Sequence, residues 1–435
     1  MNPVPSPPVV GPVTAPAPSR QLFWRVLFVG LIAGWLTFFA FHPHEFFHLG
    51  IQRFQFAVAP DRVADVWFLD SYALLASNDA VSAHRDPYAP NPLDYLQRPH
   101  IYGPWWLHLR DLGLTRADNF RVGLALGATF LLAALAWLRP RDAGSLRWFL
   151  AILGSIPVLL ALERANNDLA IFLVLAPVVP CLLSGHAALR WLAVGLVALA
   201  ADLKFYPAVA ALLLLTTAPA RELRWRLAVG VGLLALVAWH VAGGITRIAP
   251  SLPAAQGVFT FGATSGFREL GWGGPWPQLL AVALGVILLA GCWRTRLLGD
   301  WCPAPAQRRE WLHFVLGATL LAGCFFAGQN FAYRWVFALW LAPLLWSLPR
   351  DAATPAAVRR LAGATGWLLL AALWFDPVCT LVLSQLPGID LARALHWVFL
   401  VEQPFVWALA ACLLVFLAHF ARGGVRALTG RDTAA

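Results

Sequence analysis

Charge is what this 435-residue chain has least of: Asp, Glu, Lys and Arg make up 12 % of it, about half the share of a soluble domain. An ordinary water-soluble fold is thereby excluded. Lysine is nearly missing too, since Lys204 stands alone among 32 basic residues and the rest are arginine. The six cysteines (Cys181, Cys292, Cys302, Cys324, Cys379 and Cys412) are scattered, with no CxxC and most of them in apolar runs. They read as small buried apolar residues, which leaves neither a metal site nor a disulfide framework supported. There is no GxxxxGK[ST], no GxGxxG preceding a helix and no GxSxG, so nucleotide-driven pumping and serine-hydrolase chemistry have no sequence basis.

What is present is apolar sequence: 60 % of the residues are hydrophobic and mean hydropathy is +0.66. The predicted fold class is therefore all-α and polytopic, embedded in a membrane. A net charge of +10 would suggest nucleic acid in a soluble protein. Here the arginines lie mainly in short loops between apolar runs, the pattern that fixes membrane orientation, so no nucleic-acid partner is expected.

Runs near the roughly 20 residues that a spanning helix needs occur at about 22–41, 119–138, 147–162, 168–184, 190–203, 205–218, 227–243, 277–293, 311–327, 333–348, 361–376 and 396–420. The expectation is about twelve transmembrane helices, with 147–162, 190–203 and 205–218 short enough to be tilted, broken or partly spanning. Residues 1–20 are proline-rich and read as a disordered cytoplasmic leader, 21–420 as a single transmembrane domain, and 421–435 as a cytoplasmic tail. With the N-terminus inside, 19 of the 32 basic residues fall in seven short cytoplasmic segments. Both termini are then cytoplasmic, in a cell (inner or plasma) membrane, and the polar, unusual sequence gathers on the outer face. No internal repeat and no inverted pair of broken helices stands out, which counts against a secondary transporter.

The longest outer segment is the first loop, 42–118, expected to carry short amphipathic helices. Its Asp65–Trp106 stretch interleaves Asp65, Asp70, Asp79, Asp86 and Asp94 with Tyr72, Tyr88, Tyr95 and Tyr102. The part around VADVWFLDSYALLAS suits a helix lying on or re-entering the membrane surface. On such a helix Asp65 and Asp70 diverge by about 140°, so they do not form a dyad.

Charges near hydrocarbon are costly, about 2.5–3.5 kcal/mol each on insertion scales, and they single out three further places. Glu163-Arg164-Ala165-Asn166-Asn167-Asp168 reads either as a capped turn, with Asn166 or Asn167 as N-cap, or as a polar cluster lining a cavity. Asp202-Leu203-Lys204-Phe205-Tyr206-Pro207 interrupts an otherwise continuous apolar stretch. Its lysine suits a lipid phosphate, or simply snorkels. Arg334, in Gln329-Asn330-Phe331-Ala332-Tyr333-Arg334, fits phosphate oxygens as well as it fits interfacial anchoring. His42, His44 and His48 lack HExxH spacing, and no metal is expected there.

Taken in order, Asp70 with Tyr72, Asp86-Pro87-Tyr88, Tyr102-Gly103-Pro104, Asn166-Asn167-Asp168-Leu169 with Ile171-Phe172-Leu173, and Leu203-Lys204-Phe205-Tyr206-Pro207 form a pattern over residues 65–215. It resembles the bacterial polytopic glycosyltransferases of family 87, which have the C-type glycosyltransferase fold. One departure is Tyr102-Gly103-Pro104, where Tyr-Pro-Pro is commoner. The resemblance implies an enzyme that moves a mannose- or pentose-like sugar, with inversion, from a polyprenyl-phosphate donor to a hydroxyl acceptor, lipid or glycan, at the outer face. It implies Asp70 as general base, with a basicity raised by partial desolvation. It further implies Lys204, Arg164 and Arg334 on the donor phosphate, Tyr72, Tyr102, Trp105, Trp106, Asn167, Asp168 and Tyr206 lining the substrate, and no cofactor. The alternative is a lipid or saccharide transporter or flippase, which needs polar residues continuing through the helices. On the enzyme reading, Asp70, Lys204 and the Glu163–Asp168 turn converge on one outward-facing cavity open to lipid.

Overall fold

The computed structural model describes residues 18–41, 68–216, 220–248, 260–328 and 330–429. Asp65, the His42–His48 cluster and most of the 1–20 leader lie outside them. The described chain is predominantly helical, as an apolar sequence must be to satisfy its backbone in lipid. Its one sheet is a two-residue antiparallel pair, β1 (Thr260–Phe261) on β2 (Asn330–Phe331).

Helix α1 (Pro18–Phe41) precedes α2 (Leu69–Ser82), a 3-10 helix at Pro104–Leu112, and α3 (Asn119–Trp137). Next come α4 (Ala143–Leu153), α5 (Ile156–Glu163), α6 (Asn167–Leu175), α7 (Val178–Leu182) and α8 (Ala187–Lys204). A 3-10 helix at Tyr206–Leu215 leads to α9 (Ala220–Ile248), α10 (Ser265–Glu269), α11 (Trp276–Thr295) and α12 (Arg308–Ala327). A third 3-10 helix, Ala332–Trp340, precedes α13 (Ala342–Ser347), α14 (Ala356–Ser384) and α15 (Leu391–Thr429).

Among the described residues, each of the twelve apolar runs is mostly helical, but run length does not count spans. Six helical segments among the described residues are long and apolar enough to cross a membrane: 116–137, 221–248, 276–295, 305–327, 356–383 and 391–429. The pair α4–α5, bent by 53° between Leu153 and Ile156, makes a seventh if taken as one span. Two of the remaining stretches are cut short by identifiable residues. Run 168–184 breaks at Pro177, which precedes α7. Run 190–218 breaks at Phe205, whose φ of 59° and ψ of −60° end α8 and turn the chain into the 3-10 helix. At 1.5 Å per residue, a nine-residue helix such as α6 covers about 14 Å, under half the hydrocarbon thickness.

Packing ranks these helices. The 305–327 segment is 78 % buried, whereas 221–248 is only 12 % buried, so α12 is the post around which the bundle is built and α9 runs along its flank. Against α12 pack the 3-10 helices 206–215 and 332–340. Phe172 of α6 stacks on Trp340 with ring centroids 4.3 Å apart, which ties α6 to that post. In helix α2, Leu69, Asp70, Ser71, Leu74, Leu75, Ala76, Ser77, Asn78 and Ala80 are all buried within the protein, and α3 and the Pro104–Leu112 helix hold it. The last helix continues to Thr429, through most of the segment read as a tail.

Candidate functional site

The four sequence stretches flagged by misplaced charge come together. Asp70, in the first turn of α2, receives Arg164 side-on: Nη2 lies 2.7 Å from Oδ1 and Nε 3.0 Å from Oδ2. Arg98 Nη1 adds a contact to Oδ1 at 3.2 Å, and Asn166 Nδ2 donates to Oδ2 at 2.6 Å. The backbone follows suit, Asp70 N–H donating to the Arg164 carbonyl at 3.0 Å. Arg98 is itself gripped by Asp94 through Nε and Nη2, both at 2.9 Å.

Asn166 carries the connection onward. It is the N-cap of α6, its Oδ1 accepting from Asp168 N–H at 2.9 Å, and the same oxygen accepts from Lys204 Nζ at 3.2 Å. The capped turn and the polar cluster are thus one arrangement. Asp168 Oδ1 lies 2.6 Å from Lys204 Nζ and accepts from the Tyr206 hydroxyl at 2.7 Å. Arg334 stands 4.0 Å from Asp168 Oδ2, stacks over Tyr206 with its guanidinium carbon 4.4 Å from the ring centroid, and donates to Asn330 Oδ1. The Lys204 ammonium sits 5.4 Å from the Tyr102 ring centroid and 5.5 Å from that of Tyr333.

The first loop folds back over Lys204, and Gly103 explains how. Its N–H donates to the Leu203 carbonyl at 3.0 Å, and Trp106 Nε1 donates to the same oxygen at 3.0 Å. A Cβ built on Gly103 would stand 1.7 Å from the Asp202 carbonyl oxygen, a contact that no side chain can make. Glycine at this position is what lets the loop backbone lie on the end of α8.

Four of the six described non-glycine residues with positive φ adjoin this cluster: Phe68 (61°), Gln97 (52°), Ala165 (42°) and Phe205 (59°). Such conformations cost of order 1–3 kcal/mol each and gather where function constrains the backbone. Here each sits one or two residues from Asp70, Arg98, Asn166 or Lys204.

The site differs from the sequence expectation in three ways. First, the basicity of Asp70 is not raised. Burial alone would raise its carboxyl, but Arg164, with Arg98 and the Asn166 amide, outweighs that and holds the pKa down at about 2. Second, the groups pack on one another instead of lining an open cavity: Asp70 is 4 % exposed, and Asn166 and Asp168 are 0 % exposed. The opening nearby is an apolar groove of about 380 Å³ between α8, the 206–215 helix and α9, lined by Ala201, Phe205, Ala208, Leu234, Val237 and Val241 among others. Third, Tyr72 and Trp105 are not part of the cluster. The Tyr72 ring packs on Tyr95 and its hydroxyl reaches the Leu93 carbonyl, while Trp105 is exposed beside His108.

Asn167, the first residue of α6, is 2 % exposed, yet neither its Nδ2 nor its Oδ1 has a hydrogen-bond partner within the protein. A buried amide in that condition costs about 1–3 kcal/mol. Arg98 and Asp94 were missed by sequence reasoning; the only available signal was their i,i+4 spacing of opposite charges. His100, whose Nε2 contacts the Gly103 carbonyl at 3.2 Å, is held neutral because burial pulls its pKa to about 4.

Comparison with known proteins gives no match: no family model, no curated protein and no solved structure matches this chain.

Proposed function

We propose that the protein is an integral-membrane glycosyltransferase that takes a mannose- or pentose-like sugar from a polyprenyl-phosphate donor and transfers it, with inversion, to a hydroxyl acceptor at the outer face. The observation that carries this reading is the convergence of Asp70, Arg164, Asn166, Asp168 and Lys204 from sequence positions up to 134 apart. Beside them, an apolar groove starts at Phe205, the neighbour of Lys204.

In this reading the prenyl chain lies in the groove and the donor phosphate meets Lys204 and Arg334, with Arg164 behind them. Fixed cations there stabilise the phosphate as it leaves with the electron pair of the broken C1–O bond. The acceptor oxygen attacks C1 from the opposite side, and its proton passes to Asp70. A carboxyl of pKa about 2 is a weak base, but it is ionised throughout the physiological range. An acceptor oxygen bonded to C1 while still protonated is an oxonium, a much stronger acid than any carboxyl, so late proton transfer to Asp70 runs downhill. Asn167 offers an uncommitted donor and acceptor to sugar hydroxyls. Because Asp70 is 4 % exposed, the loop resting on Lys204 has to lift for substrate to enter.

One observation favours a second reading, a lipid or saccharide transporter: Asp376 and Glu402 are buried on the adjoining spans α14 and α15. Purified protein in proteoliposomes with a sugar-labelled polyprenyl-phosphate donor separates the two. Label recovered in a covalent product on the acceptor supports the transferase, and label that crosses the bilayer still attached to its lipid supports the transporter.

A further inference from the structure

At the far end of the α4–α5 pair from the carboxylate cluster lies a second opening, a cavity of about 650 Å³ where the start of α4, the end of α13 and the first half of α14 meet. That volume is within the range of small-molecule sites. Three indoles (Trp148, Trp346 and Trp367) and two guanidinium groups (Arg147 and Arg350) line it.

Its walls are fixed. Trp346 lies directly on the α4 backbone, where a Cβ on Gly144 would come within 2.6 Å of its ring. Trp148 is anchored by Nε1 donating to the Ala342 carbonyl at 2.9 Å. Arg350 is laid flat on Trp346, its guanidinium carbon 3.2 Å from the ring centroid, with one N–H donated to the Trp346 carbonyl. Trp367 is 75 % exposed, so an indole stands on the open side of the cavity.

Its cations have no carboxylate on them. Neither Arg147 nor Arg350 forms an ion pair among the described residues; Asp142 acts on Arg350 from a distance, and its own Oδ1 is occupied in capping α4. Arg147 spends one N–H on the Ala143 carbonyl at 3.3 Å. The loop before α4 adds Arg139 and Arg141, and the first turn of α14 adds Arg359; this is the end that arginine distribution assigns to the cytoplasmic side.

We propose that this cavity is a specific binding site for an anionic membrane phospholipid, with the phosphate on Arg147 and Arg350 and an acyl chain against Trp148 and Trp367. The chemistry selects this occupant. Two guanidinium forks without carboxylates match phosphate oxygens. The indole wall opens toward the bilayer, where a free anion would leave it uncovered, and basic pockets between membrane helices on the cytoplasmic side take anionic headgroups. The site is independent of the proposed transfer reaction and is tested without it.

The full-length protein in a neutral detergent is titrated with dioleoylphosphatidylglycerol and, separately, with dioleoylphosphatidylcholine, and bound lipid is counted by native mass spectrometry. The expected result is a preference for phosphatidylglycerol of about tenfold or more. The double variant R147Q/R350Q loses that preference, while R360Q, outside the cavity, keeps it. Equal binding of the two lipids, or a loss as large in R360Q as in the double variant, overturns the proposal. If R147Q/R350Q does not fold, W367A decides, since its side chain is already largely exposed. It is expected to retain less of both lipids, and unchanged retention overturns the proposal.

Discussion

Asp70 and Lys204, 134 positions apart in the chain, are joined through one amide: Asn166 donates to the Asp70 carboxylate at 2.6 Å and accepts from the Lys204 ammonium at 3.2 Å. On the proposed reading, a base and a phosphate-binding cation are thereby held at a fixed separation by the N-cap of α6. Preorganisation of this kind is what group transfer requires, since the reacting partners must arrive already aligned.

Replacing Asp70 by Asn keeps the shape of the side chain but removes the proton acceptor and leaves Arg164 without its bidentate carboxylate. Sugar transfer is expected to fall by about 10²-fold or more. Stability is expected to fall as well, by about 3 kcal/mol, because a buried charge loses its partner. Initial rates and denaturation midpoints of the same preparation check both.

Acid should abolish that stability difference. The folded Asp70 has a pKa of about 2 against an ordinary value of 3.8, so its ionised form stabilises the fold. The contribution is complete above about pH 4 and is lost as pH falls through 2. A depression of this size corresponds to about 2 kcal/mol. Midpoints measured from pH 6 down to pH 2 should converge for wild type and Asp70→Asn; parallel curves would contradict the assignment.

How much of this was legible in the sequence follows from what hydrocarbon makes expensive. Asp70, Arg164, Asp168, Lys204 and Arg334 stood out because charge beside apolar runs needs a reason, and all five lie in one cluster. Arg98 did not stand out, because an arginine in a long loop looks like any other until Asp94 and Asp70 are seen to hold it. The family resemblance implies Tyr72 as substrate-lining. Two positions beyond Asp70 on a helix it points about 200° away, and it packs on Tyr95 instead. The helical class followed from composition, whereas the number of spans did not, since hydropathy hides the breaks at Pro177 and Phe205.

Lys204 and Asp168 form a buried pair, so Lys204→Ala alone is expected to destabilise the protein by about 3–5 kcal/mol. Removing both charges, in Lys204→Ala with Asp168→Asn, should recover most of that stability. Transfer activity should stay low in both, by about 10²–10³-fold, because the phosphate has lost its nearest cation. Recovery of activity along with stability would make the pair purely structural.

Asn167 separates stability from function in the opposite direction. With both polar atoms unpartnered inside the protein, Asn167→Ala is expected to cost little stability or to add about 1 kcal/mol. The KM for donor or acceptor should rise if the amide meets sugar hydroxyls. A higher melting temperature with unchanged kinetics would remove Asn167 from the site.

Gly103→Ala tests the closure of the loop. The added methyl meets the Asp202 carbonyl, so the loop has to move off α8, at a cost of about 1–3 kcal/mol. Limited proteolysis between Pro87 and Pro104 should speed up in the variant, and an unchanged cleavage rate would mean that the contact does not hold the loop.

The central claim is covalent transfer with Asp70 at the reacting atoms. The most direct measurement is the rate at which purified protein in proteoliposomes moves labelled sugar from polyprenyl-phosphate-mannose or its pentose counterparts onto a hydroxyl acceptor, wild type against folded Asp70→Asn. The expected result is an inverted glycosidic product from wild type and a rate lower by about 10²-fold or more from the variant. A variant that turns over at the wild-type rate, or a wild type that carries the donor across the bilayer with its sugar still attached, would contradict it.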